Sequence, residues 1–254
     1  MNSAVLHIDL DKTSPLENLH IDEALVFLRD DTLAVRAWRN GPAMVLGRFQ
    51  DVLLEVDAAA HRLDPVPIVR RFSGGGAVYH DEGVLNLTLS VPTPLLLQID
   101  ATMTSLSSRI GFLSRTLASA LPGIGPRVEV DDHGSAFIDQ KKLLGCAAYL
   151  KPGRLLYHAS ILIDANLDRL HRLTRWTEAD VPATAVASRR RPVVNLSTYW
   201  PGTPEVVAHR LETAVYRAFA VGEVYPVSSE TVLSLWMTQN LTSLQFHSRG
   251  VEYV

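Results

Sequence analysis

Short apolar runs bounded by turn residues dominate the first half of the chain. Ala4–Leu10, Leu33–Trp38, Ala43–Gly47, Val66–Arg71, Gly76–Tyr79 and Val84–Ser90 are each rich in Val, Leu or Ile, and they read as strands. Asn40-Gly41-Pro42 separates the second from the third and predicts a hairpin connection. Between the first two strands, Leu16, Leu19, Ala24, Leu25 and Leu28 supply the apolar face of a helix over Leu16–Leu28. The clearest helix is Met103–Leu121, where Met103, Leu106, Ile110, Leu113 and Leu117 recur at helical spacing and Pro122-Gly123 makes the stop. Further strands follow at Arg127–Val130, Ser135–Ile138, Leu143–Leu150 and Leu155–Ile163. A second strong helix covers Pro204–Val221, with Thr203 as N-cap, Pro204 as its first residue and Gly222 as its end. Ser229–Thr238 reads as a third helix, and the tail Ser243–Val254 as a closing strand.

Strands come in blocks and helices do not alternate with them, which predicts an α+β fold with a mixed or antiparallel sheet flanked by helices. No repeat or low-complexity linker divides the 254 residues, so residues 1–254 are read as a single domain. Thr174–Pro192, rich in Arg and Pro, is the candidate for a long functional loop.

Composition narrows the function classes. A hydrophobic content of 47% is enough for a core without staples. A net charge of -3 gives no general basicity, so no nucleic-acid partner is expected. The single cysteine, Cys146, excludes an internal disulfide and fits a reducing compartment. No run approaches the roughly 20 apolar residues of a membrane span, and the acidic start from Met1 to Asp11 lacks the basic region of a secretory signal. The expectation is a soluble cytoplasmic protein with no membrane partner.

Candidate chemistry concentrates in Arg70-Arg71-Phe72-Ser73-Gly74-Gly75-Gly76-Ala77-Val78-Tyr79-His80-Asp81. Glycines bring backbone N–H groups close to a ligand, and such groups in a tight turn form an anion site. Two arginines entering that turn from an apolar strand are costly unless something anionic meets them. The spacing is neither that of a phosphate-binding P-loop nor that of a dinucleotide fingerprint. On the glycines alone, a plain tight turn between strands remains the other reading.

This run closely resembles the signature of the lipoate–protein ligase A family. The likeness continues upstream in Trp38-Arg39-Asn40-Gly41-Pro42-Ala43-Met44-Val45-Leu46-Gly47-Arg48-Phe49-Gln50 and in Asp22-Glu23-Ala24-Leu25. Downstream it includes Lys142-Leu143-Leu144-Gly145, His158-Ala159-Ser160-Ile161-Leu162, and Arg190 to Leu196. The resemblance implies the fold shared with biotin protein ligases, a class II synthetase-like catalytic domain. It implies a two-step reaction, in which lipoate and ATP (with Mg2+) give lipoyl-adenylate, and the lipoyl group then passes to a lysine of a lipoyl-domain acceptor protein.

The resemblance also distributes roles. Lys142 is the catalytic residue, its ammonium neutralising carboxylate and α-phosphate as they meet. Lys141, its neighbour on a strand, faces the other way. Arg70 and the backbone of Gly74, Gly75 and Gly76, continued through Ala77, Val78 and Tyr79, hold phosphate or carboxyl, while Arg71 alternates away. Ser73 either donates to the ligand or shapes the turn. Trp38 either walls the acyl pocket or is plain core. His80 and His158 either line the site or are satisfied structural histidines, and Gly145 follows the lysine. Ser188-Arg189-Arg190-Arg191 is either a solvated basic face or a lid over the adenylate, with Arg190 in the family's adenylate-side loop. Cys146 is read as a buried, inert thiol.

The chain departs from the family pattern where an Asn-Asp pair ahead of the lysine helps to hold the metal. Gly134-Ser135 stands there, with Asp131, Asp132 and Asp139 nearby but out of register, so no metal ligand is assigned. The C-terminal accessory domain of many members is not expected in the residues after the Pro204–Val221 helix, and a separate accessory protein is the expected substitute. Three functional readings stay open: the ATP-dependent ligase; an octanoyl or lipoyl transferase fed by a carrier protein; and a non-catalytic module that binds lipoyl-adenylate. A biotin ligase fits the glycine run less well.

Overall fold

The computed structural model describes residues 2–6, 14–28, 32–121, 127–175 and 187–240. Its strands are β1 (Asn2–Leu6), β2 (Leu33–Trp38), β3 (Ala43–Leu46), β4 (Ile68–Arg70), β5 (Val78–His80), β6 (Val84–Pro92), β7 (Glu129–Val130), β8 (Ala136–Ile138), β9 (Lys141–Lys151), β10 (Arg154–Leu162) and β11 (Glu223–Val227). Its helices are α1 (Pro15–Ala24), α2 (Val52–Glu55), α3 (Ala58–Leu63), α4 (Thr93–Ile99), α5 (Leu106–Ala120), α6 (Leu167–Leu173), α7 (Pro204–Ala218) and α8 (Ser229–Asn240). The large sheet runs β11-β1-β2-β6-β10-β9-β8-β7, and a small one runs β4-β3-β5. Pairing is parallel at β1–β2, β1–β11 and β3–β4 and antiparallel elsewhere, which makes the fold α+β with a mixed sheet.

The long central strands β6 and β10 show why the sheet is two-sided. Leu85, Leu87, Leu89, Val91, Leu155, Tyr157, Ala159 and Ile161 alternate onto one face and pack with Leu113 and Leu117 of α5 and Val207, Leu211 and Val215 of α7. The intervening residues form polar rows across the other face. One row is Trp38, Asn86, Ser160 and Gly145 on β2, β6, β10 and β9; the next is Arg36, Thr88, His158 and Ala147. Helix α1 lies over the second row, started by a capping box between Ser14 and Glu17 and by Pro15.

The expected hairpin at Asn40-Gly41-Pro42 does not form. The turn instead hands the chain from β2 in the large sheet to β3 in the small one. Both strands find longer-range partners, β2 in β6 and β3 in β4 and β5, while Asn40 is drawn inward to His80 and Asn18. The expected strand at Val66–Arg71 is trimmed to β4, and β1 starts two residues ahead of the expected Ala4–Leu10, whose residues 7–10 lie outside the described set, as does the tail Ser243–Val254. Four short helices, α2, α3, α4 and α6, carry no long apolar stripe and have no counterpart in the pattern reading. No helix among the described residues is long and apolar enough to cross a membrane.

Candidate active site

A cavity of about 350 Å³ opens where the small sheet meets the polar face of the large one. Its floor includes the row Trp38, Asn86, Ser160 and Gly145. Three interstrand spacings, about 14 Å, separate the β2 end from the β9 end. The two ends differ in character. At β2 lie Trp38, Leu19, Val45 and Val78, an apolar cluster. At β9 lies Lys142, with Asp131 and Arg191 near enough to affect its charge. Gly145 leaves room for that side chain: a Cβ there would stand 3.2 Å from Lys142 Nζ. Burial lowers the Lys142 pKa below the usual lysine value, and its ammonium forms no hydrogen bond or ion pair among the described residues. Lys141, by contrast, is exposed and lies outside the cavity.

The glycine run forms the roof, and both arginines behave differently from expectation. The Arg70 guanidinium lies outside the cavity and donates to the carbonyls of Gly47 (2.9 Å) and Gln50 (2.7 Å), which fixes the turn after β3. Arg71 is the one that turns inward. It is buried and lines the cavity, donating to Gly74 O and Gly76 O (both 2.7 Å), Val45 O (3.3 Å) and Ser73 Oγ (3.2 Å). Burial lowers its pKa to about 10, leaving it a cation at neutral pH. The negative partners that offset the burial of these arginines are therefore backbone carbonyls. Within the run, Gly75, Gly76, Ala77 and Val78 reach the cavity; Gly74 and Ser73 do not, and Tyr79 lines only a side pocket of about 110 Å³. Gly75 adopts φ +89°, and a Cβ on Gly47 would stand 2.1 Å from Gly75 O, so the roof is two strands of backbone in direct contact.

Beneath the roof the two histidines belong to hydrogen-bonded chains. His158 Nδ1 lies 3.2 Å from Asp22 Oδ2 and its Nε2 2.7 Å from Ser73 Oγ. With the proton on Nδ1, the ring donates to Asp22 and accepts from Ser73, which itself accepts from Arg71. Asp22 also accepts from Thr88 (2.9 Å) and Arg36 (3.2 Å), and Thr88 accepts from Trp38 Nε1 (3.0 Å). The order Ser73, His158, Asp22 is that of a nucleophile, base and orienting carboxylate. Ser73 is completely buried, however, and both its hydrogen-bonding roles are taken. It anchors the glycine turn to the sheet and is out of reach of a substrate. His80 accepts from Asn40 Nδ2 at 2.9 Å and donates to Ser160 Oγ at 3.1 Å, which passes a bond to Asn86 Oδ1 at 2.7 Å. Burial, with Arg71 and His158 adding to it, drives the His80 pKa down to about 3, so the ring is neutral. Arg36, Thr88 and Asn86 look, in sequence, like ordinary polar residues on a strand; Asp22 and Asn40 lie in the runs that carry the resemblance, but their spacing gives neither a role.

Asp131, set aside by register in the sequence, reaches the cavity. Its Oδ1 accepts the backbone N–H groups of His133 (2.9 Å) and Ser135 (2.8 Å) across a turn in which Gly134 takes φ +80°. Its Oδ2 accepts no hydrogen bond among the described residues. No group of three His, Cys, Asp or Glu side chains suited to a metal occurs among the described residues. One free carboxylate oxygen fits Mg2+, which is commonly held by one or two carboxylates together with substrate phosphates and water. Cys146 also lines the cavity, with its thiol 3.4 Å from His133 O, and burial raises its pKa. Of the arginine run, Arg189 and Arg191 line the cavity, whereas Arg190 pairs with Glu55 at 2.9 Å and reaches only the side pocket.

The model for the lipoyl protein ligase A/B catalytic domain matches residues 14–220. The chain belongs to this family. Among relatives, a probable lipoate-protein ligase A of Mycoplasma pneumoniae is 28% identical over 193 residues, covering 75% of this chain and 55% of the relative. The chain thus spans little more than half the length of that relative. A Thermoplasma acidophilum protein named lipoate-protein ligase A subunit 1 is 26% identical over 208 residues, covering 80% of this chain and 78% of its own. Among solved structures, a T. acidophilum protein with bound lipoic acid superposes with a TM-score of 0.75 at 20% identity, covering 98% of both chains. A lipoate-protein ligase A bound with ATP gives 0.73 at 23% identity, with 96% and 95% covered. These structural likenesses are likenesses of fold.

Proposed function

We propose that this chain activates lipoate with ATP to lipoyl-adenylate and passes the lipoyl group to a lysine of a lipoyl-domain acceptor protein. The observation that carries the proposal is the polarity of one cavity, apolar at Trp38 and cationic at Lys142, Arg189 and Arg191. A linear acyl acid with a fatty end and a carboxylate end matches that gradient. The dithiolane and methylenes lie over Trp38, Leu19 and Val45, and the carboxylate is presented beside Lys142.

When the carboxylate attacks the α-phosphorus of ATP, two anions must approach. The Lys142 ammonium, partnerless among the described residues, faces the junction and offsets that repulsion. Arg189 and Arg191 face the phosphates from the segment that pairs with Lys142, and Arg71 adds a fixed positive charge beneath the glycine turn. Asp131 would hold Mg2+ beside the phosphates. A bound Mg2+ supplies Lewis-acid neutralisation of the pyrophosphate that leaves. The neutral His80 and the hydrogen-bonded His158 hold the floor in shape. A lipoyl domain as acceptor and a separate accessory chain follow the description of the bipartite T. acidophilum ligase and its E2 lipoyl domain.

A carrier-dependent transferase that holds the acyl group on a cysteine needs a nucleophilic thiolate. Cys146 is the sole cysteine, and its burial disfavours that form, which supports the ATP-dependent reading. The test is lipoate-dependent ATP–pyrophosphate exchange, together with mass spectrometry of a lipoyl domain incubated with the chain, lipoate, ATP and magnesium. Lys142→Ala is expected to lower exchange by about a hundredfold or more while leaving the thermal transition in place. Near-normal exchange in that variant, or lipoylation with ATP omitted, refutes the assignment.

A further inference from the structure

Two features of the cavity wall are not accounted for by the reaction: a fully buried carboxylate on a four-residue helix, and an arginine that turns away from the site between two that face it. They are the same contact. Glu55, the last residue of α2, is 1% exposed. Its Oε1 accepts Ser188 N–H at 2.8 Å, and its Oε2 accepts the Ser188 hydroxyl at 2.6 Å and Arg190 Nη2 at 2.9 Å. Its backbone carbonyl accepts Arg175 N–H at 2.9 Å. One residue therefore ties residues 175 and 188, on either side of residues 176–186.

We propose that Glu55 is a positioning residue for the phosphate-facing arginines, an inference that rests on the ligase reading of the cavity. In an extended segment neighbouring side chains point to opposite sides. With Arg190 drawn to Glu55, its neighbours Arg189 and Arg191 stand on the other side, in the cavity wall, which Ser188 also lines. The posture is fixed again just downstream, where Lys142 N–H donates to Pro192 O at 2.7 Å and Val194 N–H donates to Lys142 O at 3.1 Å. Glu55 thus sets the arginines in register with the very residue whose ammonium meets the carboxylate. The same contact reaches the roof, because Ser188 Oγ accepts from Ala77 N–H at 2.8 Å and from Gln50 Nε2 at 3.0 Å. Gly76 gives the serine its space: a Cβ there would stand 2.9 Å from Ser188 Oγ. Three adjacent guanidiniums repel one another, and the carboxylate is the counter-charge that settles which of them turns out.

The test uses Glu55→Gln, which keeps the shape and removes the charge, with two readouts. Trypsin cleavage after Arg189 and Arg190, followed without any ligand, is expected to accelerate about tenfold as the segment lifts. In lipoate-dependent ATP–pyrophosphate exchange, KM for ATP is expected to rise about tenfold while KM for lipoate stays within about twofold, the pattern of a lost phosphate contact. Unchanged cleavage together with an unchanged KM for ATP overturns the proposal, as does an equal rise in both KM values, which marks a general loosening of the cavity. Should Glu55→Gln lose its thermal transition, Arg190→Gln breaks the same ion pair from its more exposed side and is judged by cleavage after Arg189 alone and by the same two KM values. A wild-type chain with no exchange activity defeats the ligase reading alone, and the cleavage rates then decide the clamp.

Discussion

Arg70 and Arg71 carry the sharpest lesson at the scale of single residues. Strand alternation requires that they diverge, but only the carbonyls around them decide which enters the cavity, and those come from Val45, Gly47 and Gln50 on another strand and turn. An arginine pair beside glycines suggests a bound anion; here both guanidiniums are largely occupied by backbone oxygens, and on the proposed ligase reading the anion falls to Lys142, Arg189 and Arg191. The planar fork of Arg71 bonds Ser73, Gly74, Gly76 and Val45 together, which a single ammonium cannot do. Arg71→Lys is therefore expected to lose about 2–4 kcal/mol of stability, the cost of leaving two or more buried carbonyls unpaired. Urea unfolding measures it, and a loss below about 0.5 kcal/mol, within the range of ordinary surface changes, refutes the role. At the same scale, Asp131→Asn is expected to raise the magnesium concentration needed for half-maximal exchange about tenfold; an unchanged magnesium titration removes Asp131 from the metal.

Whole elements were most legible where one face is simply apolar. The α5 and α7 stripes and the long β6 and β10 strands emerge near their expected bounds because each buries a continuous face in the main core. The connection at Asn40-Gly41-Pro42 was not, because a turn signal fixes a change of direction and says nothing about which sheet receives the next strand. Helix α7 also hides a feature that the stripe does not reveal. Glu212 lies on its buried side at 7% exposure, and burial raises its pKa from 4.5 to about 7. A carboxyl with a folded pKa above its unfolded one favours the native state only while protonated. Its full contribution is present below about pH 4.5, shrinks between pH 4.5 and 7, and is gone above 7, at up to about 1.4 kcal/mol per pH unit. Glu212→Gln keeps the neutral form at every pH. It is expected to flatten the stability profile across that window and to gain stability at pH 8 over the native chain. Parallel profiles for the two chains in urea melts exclude the effect.

For the whole molecule, the cavity's position matters as much as its residues. The glycine run, Trp38, Lys142, His158 and the arginine segment are far apart in sequence and were linked only through family resemblance. The fold joins them because a small sheet closes over the polar rows of a large one. The supporting residues, Asp22, Thr88, Asn86 and Glu55, were not legible, since their meaning lies in cross-strand and cross-loop register. This arrangement also separates the two proposed steps electrostatically. In the proposed reaction, activation draws on the half-buried Lys142 and the buried Arg71 beside Arg189 and Arg191, whereas the acceptor lysine must arrive past the two exposed arginines alone. Contacts between exposed charges are screened within about 8–10 Å at ordinary salt, and buried ones much less. If the two arginines steer an acidic lipoyl domain, raising the salt from about 50 to 500 mM is expected to cut kcat/KM for the acceptor about tenfold while changing the exchange rate less than about twofold. Arg189→Gln should remove much of that salt dependence. A transfer rate indifferent to salt places the acceptor on another face and leaves the arginines to the phosphates alone.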